Sequence, residues 1–314
     1  MLKLSDLKQD NNFTSELSLI VLLKSKWDEI HSEPNVFRYK INNLQERVLD
    51  GKYLLMVNVD RGTNRRTPQD IVSIQQPFDD GRFNFTKVSS KEAIFSIEFQ
   101  GDEHTVLVNV SPILRYHSLL CPSVNKKLPQ VATIDSLILA VEIMFLANDK
   151  DLKIVFNSLC GFASVNHLHY HLILHKDTFP VELLKWKQMK GPLYCIQDYP
   201  VQGFCFEAQK ESIQTDVADI HKLIQYLLDN CIAHNILITT RGRKVTVYVY
   251  PRKSAAGVKE FGDFNVAALE LSGWITVYST EAYQKARSED LDIELKKCNV
   301  ENFVELCENV ELLY

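Results

Sequence analysis

The sequence predicts an α+β fold, and three observations predict it. From Phe83 to Pro122, short apolar or alternating runs succeed one another, preceded by a turn signal at Asp79-Asp80-Gly81 and broken by another at Gly101-Asp102. Residues 131–148 (VATIDSLILAVEIMFLAN) are apolar almost all round over a helical length. The same scheme returns in the second half, where a helical stretch at 212–232 precedes the hairpin-like HNILITTRGRKVTVYVY. Strands that follow one another directly pair antiparallel, and a helix packed on such a sheet gives α+β architecture.

Each element has its own warrant. In residues 14–31 (TSELSLIVLLKSKWDEIH), Leu17, Ile20, Val21, Trp27 and Ile30 recur near 3.6, which predicts an amphipathic helix with Thr14 as N-cap. A sparse, charged segment follows, carrying Pro34, Gly62, Pro68 and Pro77. FNFTKV, AIFSIEF and TVLVNV then read as strands, and SPILRYHSLLCPSV adds another after Pro112. The helix at 131–148 is followed by a strand, KIVFN, a loop, NSLCGFASVN, and a further strand, HLHYHLIL. In the second half, Arg241-Gly242-Arg243 turns the hairpin, residues 263–278 mix strand and helix signals, and the charged stretch from about 280 is helical.

Composition excludes several classes. The chain has 314 residues, 46% hydrophobic and 24% charged, which is neither fibrous nor disordered. A net charge of −5 gives no bulk attraction to nucleic acid or an anionic membrane, so neither is an expected partner. The first residues lack the apolar core of a signal peptide, and the run Leu19–Leu23 is far short of the ~20 residues a membrane span needs. Seven cysteines without any CxxC spacing argue against a disulfide framework or a zinc ribbon. The expected location is the cytoplasm, with reduced thiols.

The chemistry concentrates in one place: four of nine histidines fall between 167 and 175. His167, His169 and His171 alternate with Leu168, Tyr170 and Leu172, so on a strand the three imidazoles share one face and the apolar residues point to the core. Such a row could hold a metal, as HxH pairs do. It could equally supply a neutral imidazole, of ordinary pKa about 6.5, that attacks phosphorus and splits one hard step into two. The loop just before it, Asn157 to Ser164, offers a glycine, two hydroxyls and an amide. That donor-rich composition suits an anion better than a cation.

HLHYHL resembles the His-φ-His-φ-His-φ-φ signature of the histidine triad superfamily. Asn157 and Ser164 sit where that superfamily places its phosphate-binding asparagine and serine. The similarity extends through TPQDIVSIQQPFDDGRFNFTKV, VLVNVSPILRYHSLLCPS, FNSLCGFASVNHLHYHL, HNILI, VYVYPRKS and LELSG, most of residues 65–278. That ordered set is similar to the GDP-hexose phosphorylases. His171 is like the animal branch, whose substrate is GDP-glucose, since the plant branch resembles relatives with glutamine there.

The resemblance implies a ping-pong nucleotidyl transfer. His169 would attack the α-phosphorus of GDP-glucose, releasing glucose 1-phosphate and leaving a GMP-histidine, and inorganic phosphate would then take the GMP to give GDP. His167 would hold the nucleophile through the backbone, and His171 would assist the leaving group. Asn157, Ser158 and Ser164 would bind phosphate oxygens, with His117 beside them, Lys87 against the β-phosphate, and Glu270 of LELSG on the sugar. No metal and no cofactor are expected. The second half has no HxHxH, so the implied fold is two fused histidine-triad-like halves, each an antiparallel sheet with packed helices, arranged as a pseudo-dimer. The expected division is a catalytic half, 1–195, and a degenerate half, 196–314, in a monomer. Three alternatives stay open: a histidine triad hydrolase that releases GMP, a phosphorylase of another GDP-hexose, and, from a different class, a metal-binding cupin-like protein.

Overall fold

The computed structural model describes residues 2–7, 18–41, 44–256 and 263–314. In chain order the first half contributes β1 (Leu2–Lys3), α1 (Leu19–Ser32), β2 (Gln45–Leu49), β3 (Tyr53–Val57), α2 (Val59–Asn64), β4 (Ala93–Phe99), β5 (Asp102–Val108), β6 (Ser118–Cys121), α3 (Ile134–Ala147), β7 (Leu152–Asn157) and β8 (Tyr170–Leu174). Then come β9 (Trp186–Gln188), β10 (Tyr194–Ile196), β11 (Phe204–Ala208), α4 (Ile213–Asp229), β12 (Ala233–Arg241), β13 (Lys244–Arg252), α5 (Ala268–Leu271), β14 (Trp274–Val277), α6 (Thr280–Lys285), α7 (Ser288–Lys297) and α8 (Phe303–Glu311).

Three expectations need correction. The N-cap of α1 is Ser18, whose hydroxyl accepts from the Val21 N–H, while Thr14 and Leu17 lie outside the described residues. FNFTKV is a 3₁₀ turn at Phe85–Lys87 and not a strand. Its backbone is diverted: the Asn84 side chain caps Thr86, and the Phe85 N–H donates to an imidazole. The segment that composition reads as sparse contains the hairpin β2–β3, turned through Asp50 and Gly51, both at positive φ.

The antiparallel sheets of the two halves are joined edge to edge, with β1 added parallel to β4 at the outer edge of the first. Eleven strands run in the order β1-β4-β5-β6-β8-β7-β12-β13-β11-β10-β9. The junction is the antiparallel pairing of β7 with β12, from Asn157↔Asn235 to Ile154↔Ile238. Outward from it each half repeats one topology. Taking five strands per half, the fourth lies at the junction, then the fifth, third, second and first. A helix links the third to the fourth in both halves, α3 in one and α4 in the other. The first two strands of the second repeat, β9 and β10, begin at Trp186.

Alternation along the strands builds three layers. Ile154 and Phe156 of β7 join a core with α1, α3 and α4, and Val155 between them joins a second core on the opposite face. That second face is covered by a small sheet, β14-β3-β2, in which β14 from the second half runs parallel to β3 from the first. The continuous burial of β3 (YLLMV) fits its place between two partners and two layers. None of the described helices is long and apolar enough to cross a membrane.

Candidate active site

A cleft of about 770 Å³ opens on the small-sheet side of the large sheet, lined by His169, His171, Asn157 and Ser164 together with Arg61, Arg65, Arg66, Phe83, Phe85 and Glu270. The alternation read from the sequence holds around the triad, since Leu168, Tyr170 and Leu172 all lie in the helix-side core. Strand pairing begins only at Tyr170, so His171 alone of the three sits in the ladder, opposite Leu119 and Val155. His167 and His169 lie just before the strand, His167 in a bend.

That segment is held by a residue the sequence reading overlooked. Gln130 is buried, accepts from the His169 N–H at 2.8 Å, and donates to the carbonyls of Asn157 at 2.9 Å and His169 at 3.0 Å. One side chain thus ties the His169 segment to the end of β7. No motif marks it, because a lone glutamine between Pro129 and Val131 resembles any polar loop residue.

Hydrogen bonds fix the protonation of each imidazole. Nδ1 of His169 lies 2.7 Å from the His167 carbonyl and can only donate to it. A neutral His169 therefore carries its proton on Nδ1, and Nε2 keeps a lone pair that no described residue engages. His167 accepts from the Phe85 N–H through Nδ1 at 3.0 Å and donates from Nε2 to the Val124 carbonyl at 3.1 Å. Its ring packs against Phe78 and Phe85 and does not line the cleft. With both nitrogens engaged by backbone, His167 cannot join a three-histidine metal site.

His117 sets the state of His171. It is buried, and its Nδ1 accepts from the Ile113 N–H at 3.0 Å, so a neutral His117 carries its proton on Nε2. That N–H lies 2.9 Å from Nδ1 of His171. The Asn109 amide nitrogen, 3.1 Å from His117 Nε2, is then a neighbour and not a donor. His171 accepts at Nδ1 and presents its own proton on Nε2, a donor on the cleft side. Burial holds both rings neutral: desolvation, reinforced by the neighbouring imidazoles and Arg61, depresses them well below the usual histidine range. Desolvation likewise lowers His169 to about 4, opposed by its bond to the His167 carbonyl.

Another wall of the cleft is built from a loop and an arginine. Asn157 Oδ1 accepts from Asn235 Nδ2 at 2.6 Å and from the Ala268 N–H at 3.1 Å, which fixes the amide orientation and leaves Nδ2 as a donor. Ser164 lines the cleft beside it. Between them Cys160 and Phe162 adopt positive φ, and Gly161 passes so close to the His234 carbonyl that a Cβ would stand 2.9 Å from it. Arg61 of α2, another residue the sequence reading passed over, lines the cleft and donates to the Ser111 carbonyl. Its charge acts on His117, His171 and Glu270 together. The signal was the cluster Arg61, Arg65, Arg66 in a segment otherwise poor in features. Glu270 is buried, its Oε2 accepts from the Ala267 N–H, and desolvation pushes it up to about 7.

Two expected contacts are not formed. Lys87 is exposed and away from the cleft, its ammonium bound to the carbonyls of Asp80 and Arg82, where it closes the Asp79–Arg82 turn. Ser158 does not line the cleft, because its hydroxyl accepts from the His234 N–H and donates to the Leu159 carbonyl.

Comparison with known proteins identifies the family. The family described as GDPGP1-like, N-terminal domain, matches residues 18–173, and GDPGP1-like, C-terminal domain, matches residues 177–310. The chain is 36% identical to GDP-D-glucose phosphorylase 1 of Danio rerio over 88% of this chain and 85% of that one. It is 33% identical to GDP-D-glucose phosphorylase 1 of Homo sapiens, covering 83% and 74%. GDP-L-galactose phosphorylase 1 of Arabidopsis thaliana is 30% identical, covering 86% and 67%. Among solved structures, yeast Ap4A phosphorylase Apa2 superposes with a TM-score of 0.63 over 88% of this chain and 97% of that one, at 17% identity, which is a likeness of fold. With both of its domain patterns present in order and relatives above 30% identity along most of their length, the chain belongs to the GDPGP1-like family of GDP-D-glucose phosphorylases.

Proposed function

We propose that this protein cleaves GDP-D-glucose with inorganic phosphate to give GDP and glucose 1-phosphate, through a GMP-histidine on His169. The observation that carries the mechanism is the open Nε2 of His169, with its Nδ1 proton anchored on the His167 carbonyl. The Nε2 lone pair attacks the α-phosphorus in line, and the bond from phosphorus to the bridging oxygen breaks. Glucose 1-phosphate departs with that electron pair. Positive charge that develops on the ring is stabilised by the carbonyl at Nδ1. The Nε2 proton of His171 and the charge of Arg61 meet the negative charge on the leaving phosphate, and the Nδ2 donor of Asn157 and the hydroxyl of Ser164 meet the equatorial oxygens. Phosphate then attacks the same phosphorus and restores His169.

The same proposal covers the division of labour. The first repeat, which ends with β8, carries the nucleophile and its supports, and the second, from β9 on, lends binding surface, with Glu270 toward the hexose. A monomer in the cytoplasm fits a chain whose eleven-stranded sheet already contains both repeats and whose seven cysteines are all free thiols.

One assay tests the reaction. GDP-glucose supplied with phosphate should yield GDP and glucose 1-phosphate in equal amounts, and without phosphate the reaction should stop at one equivalent of GMP on the enzyme. GMP released at the same rate with or without phosphate would make the protein a hydrolase and sink the proposal. Running GDP-mannose and GDP-galactose in parallel identifies the preferred hexose. His169→Ala should abolish both turnover and labelling, and labelling that persists in this variant would overturn the nucleophile assignment.

A further inference from the structure

Three carboxylates line the cleft among the described residues: Asp70, Glu92 and Glu270. They are not equivalent. Glu270 faces Arg61 and is held by the Ala267 N–H. Asp70 is exposed at the rim. Glu92 is half-buried at the end of the 3₁₀ turn Ser90–Glu92. Its Oε1 accepts from the Ser89 N–H at 3.2 Å, and no described residue bonds its Oε2.

A row of rings leads from the nucleophile toward this side. The Phe85 ring lies 5.0 Å from that of His169, and the Phe83 ring lies 5.9 Å from Phe85. The Arg66 guanidinium stacks 3.4 Å over Phe83, close enough that its charge acts on Glu92. Phe85, Leu107, Leu119 and Val165 form one apolar cluster with Phe83 and Val88 against it, and all six line the cleft. Another part of the lining is polar: the His171 ring lies 5.2 Å from that of His169, and the charge of Arg61 acts on both His171 and Glu270. A nucleoside diphosphate sugar with its α-phosphorus at His169 has a flat base on one side and a hexose phosphate on the other. The aromatic wall suits the base, and the arginine side suits the sugar phosphate.

We propose that Glu92 reads the base and selects guanine, an inference that rests on the GDP-hexose reaction proposed above. Guanine offers N1–H and N2–H side by side, the complement of a carboxylate. Adenine offers an acceptor at N1 beside its amino group and would set a lone pair against the same oxygens. Oε1 keeps its bond to Ser89, since a carboxylate oxygen has a second lone pair. A half-buried acceptor pair left unmatched by the wrong base is a strong source of rejection. Burial raises the Glu92 carboxyl, opposed by Ser89 and Arg66, so the group sits where a missing donor is costly.

Glu92→Gln tests this without removing the turn, because the glutamine oxygen can still accept from Ser89. The kcat/KM for GDP-glucose should fall about 10²-fold while that for ADP-glucose holds or rises, since an amide matches adenine's acceptor and donor. Asp70→Asn should leave the GDP to ADP ratio unchanged. Equal losses for both substrates in Glu92→Gln, or a ratio altered only by Asp70→Asn, would overturn the assignment. A second measurement needs no variant. The wild-type protein should bind IMP, which lacks the 2-amino group, at least about tenfold more weakly than GMP by calorimetry. Equal affinities would exclude a carboxylate on that edge. Tight, selective GMP binding with no phosphorolysis of GDP-hexoses would instead refute the reaction and leave Glu92's role standing.

Discussion

Each histidine around the cleft is fixed by its own set of partners, and this determines what each can do at neutral pH. His169, depressed to about 4 by burial, is neutral across the whole range in which a free imidazole would titrate. The pH profile of kcat/KM should therefore lack an ascending limb near 6.5. Any inflection near 7 belongs to Glu270 and should vanish in Glu270→Gln. A limb near 6.5 that survives this substitution would show that His169 is far more exposed to solvent than the structure has it. Stability follows with a definite sign. Between the unfolded value of about 6.5 and the folded value of about 4, the unfolded chain binds more protons at His169, so the contribution is complete above 6.5 and is lost as pH falls through 4. Glu270 works oppositely: its raised pKa makes ionisation costly, so its contribution declines as pH climbs toward 7. His171→Ala should reduce kcat by roughly 10²–10⁴-fold, the range for a lost proton donor. The triad was legible because period-two histidine is rare. Gln130, Arg61 and the tautomer-setting bond from His117 were not, since each acts through contacts between segments remote in sequence.

At the scale of the element, the Asn157–Ser164 loop is a backbone device more than a set of side chains. Ser158→Ala would orphan the buried His234 N–H and should cost about 1–3 kcal/mol of stability, with KM nearly unchanged. A large rise in KM at unaltered stability would return Ser158 to the substrate. Gly161→Ala should weaken both stability and turnover, because its new Cβ meets the His234 carbonyl, which is backbone and cannot swing aside. The strands β4 to β8 and the hairpin β12–β13 could be read from pattern and turn chemistry. The hairpin β2–β3 could not be recognised by alternation, since YLLMV is buried on both faces, although Asp50-Gly51 was a usable turn signal. FNFTKV misled for the opposite reason. Its pattern is that of a strand, but a side-chain cap and an imidazole claim its N–H groups.

For the whole molecule, the join between β7 and β12 makes two repeats one folding unit. Phe156 and Ile236, fully buried partners across it, belong to the same core as α3 and α4. The small sheet ties the halves again through β14 and β3. Thermal unfolding by calorimetry should therefore show one cooperative transition, and Phe156→Ala should lower the stability of the entire chain by about 3–5 kcal/mol. Two separable transitions would mean the repeats fold independently. That the halves repeat was implied by the sequence pattern and its family resemblance. That they share strands in a second sheet was not, because the parallel contact of Thr276 with Met56 joins residues with no local signal in common.

The pairing of Asn157 with Asn235 carries a further consequence. A symmetric dimer of identical chains must use any residue at its axis twice, in the same way. Here the two asparagines face each other across the join but do different work: Asn235 donates to Asn157, and Asn157 is thereby turned toward the cleft. Fusion into one polypeptide released one copy from the obligations of the other. A lineage that needs a single reaction centre can then spend the second copy's variation on aim and selectivity, where an identical pair would have to compromise at both sites at once.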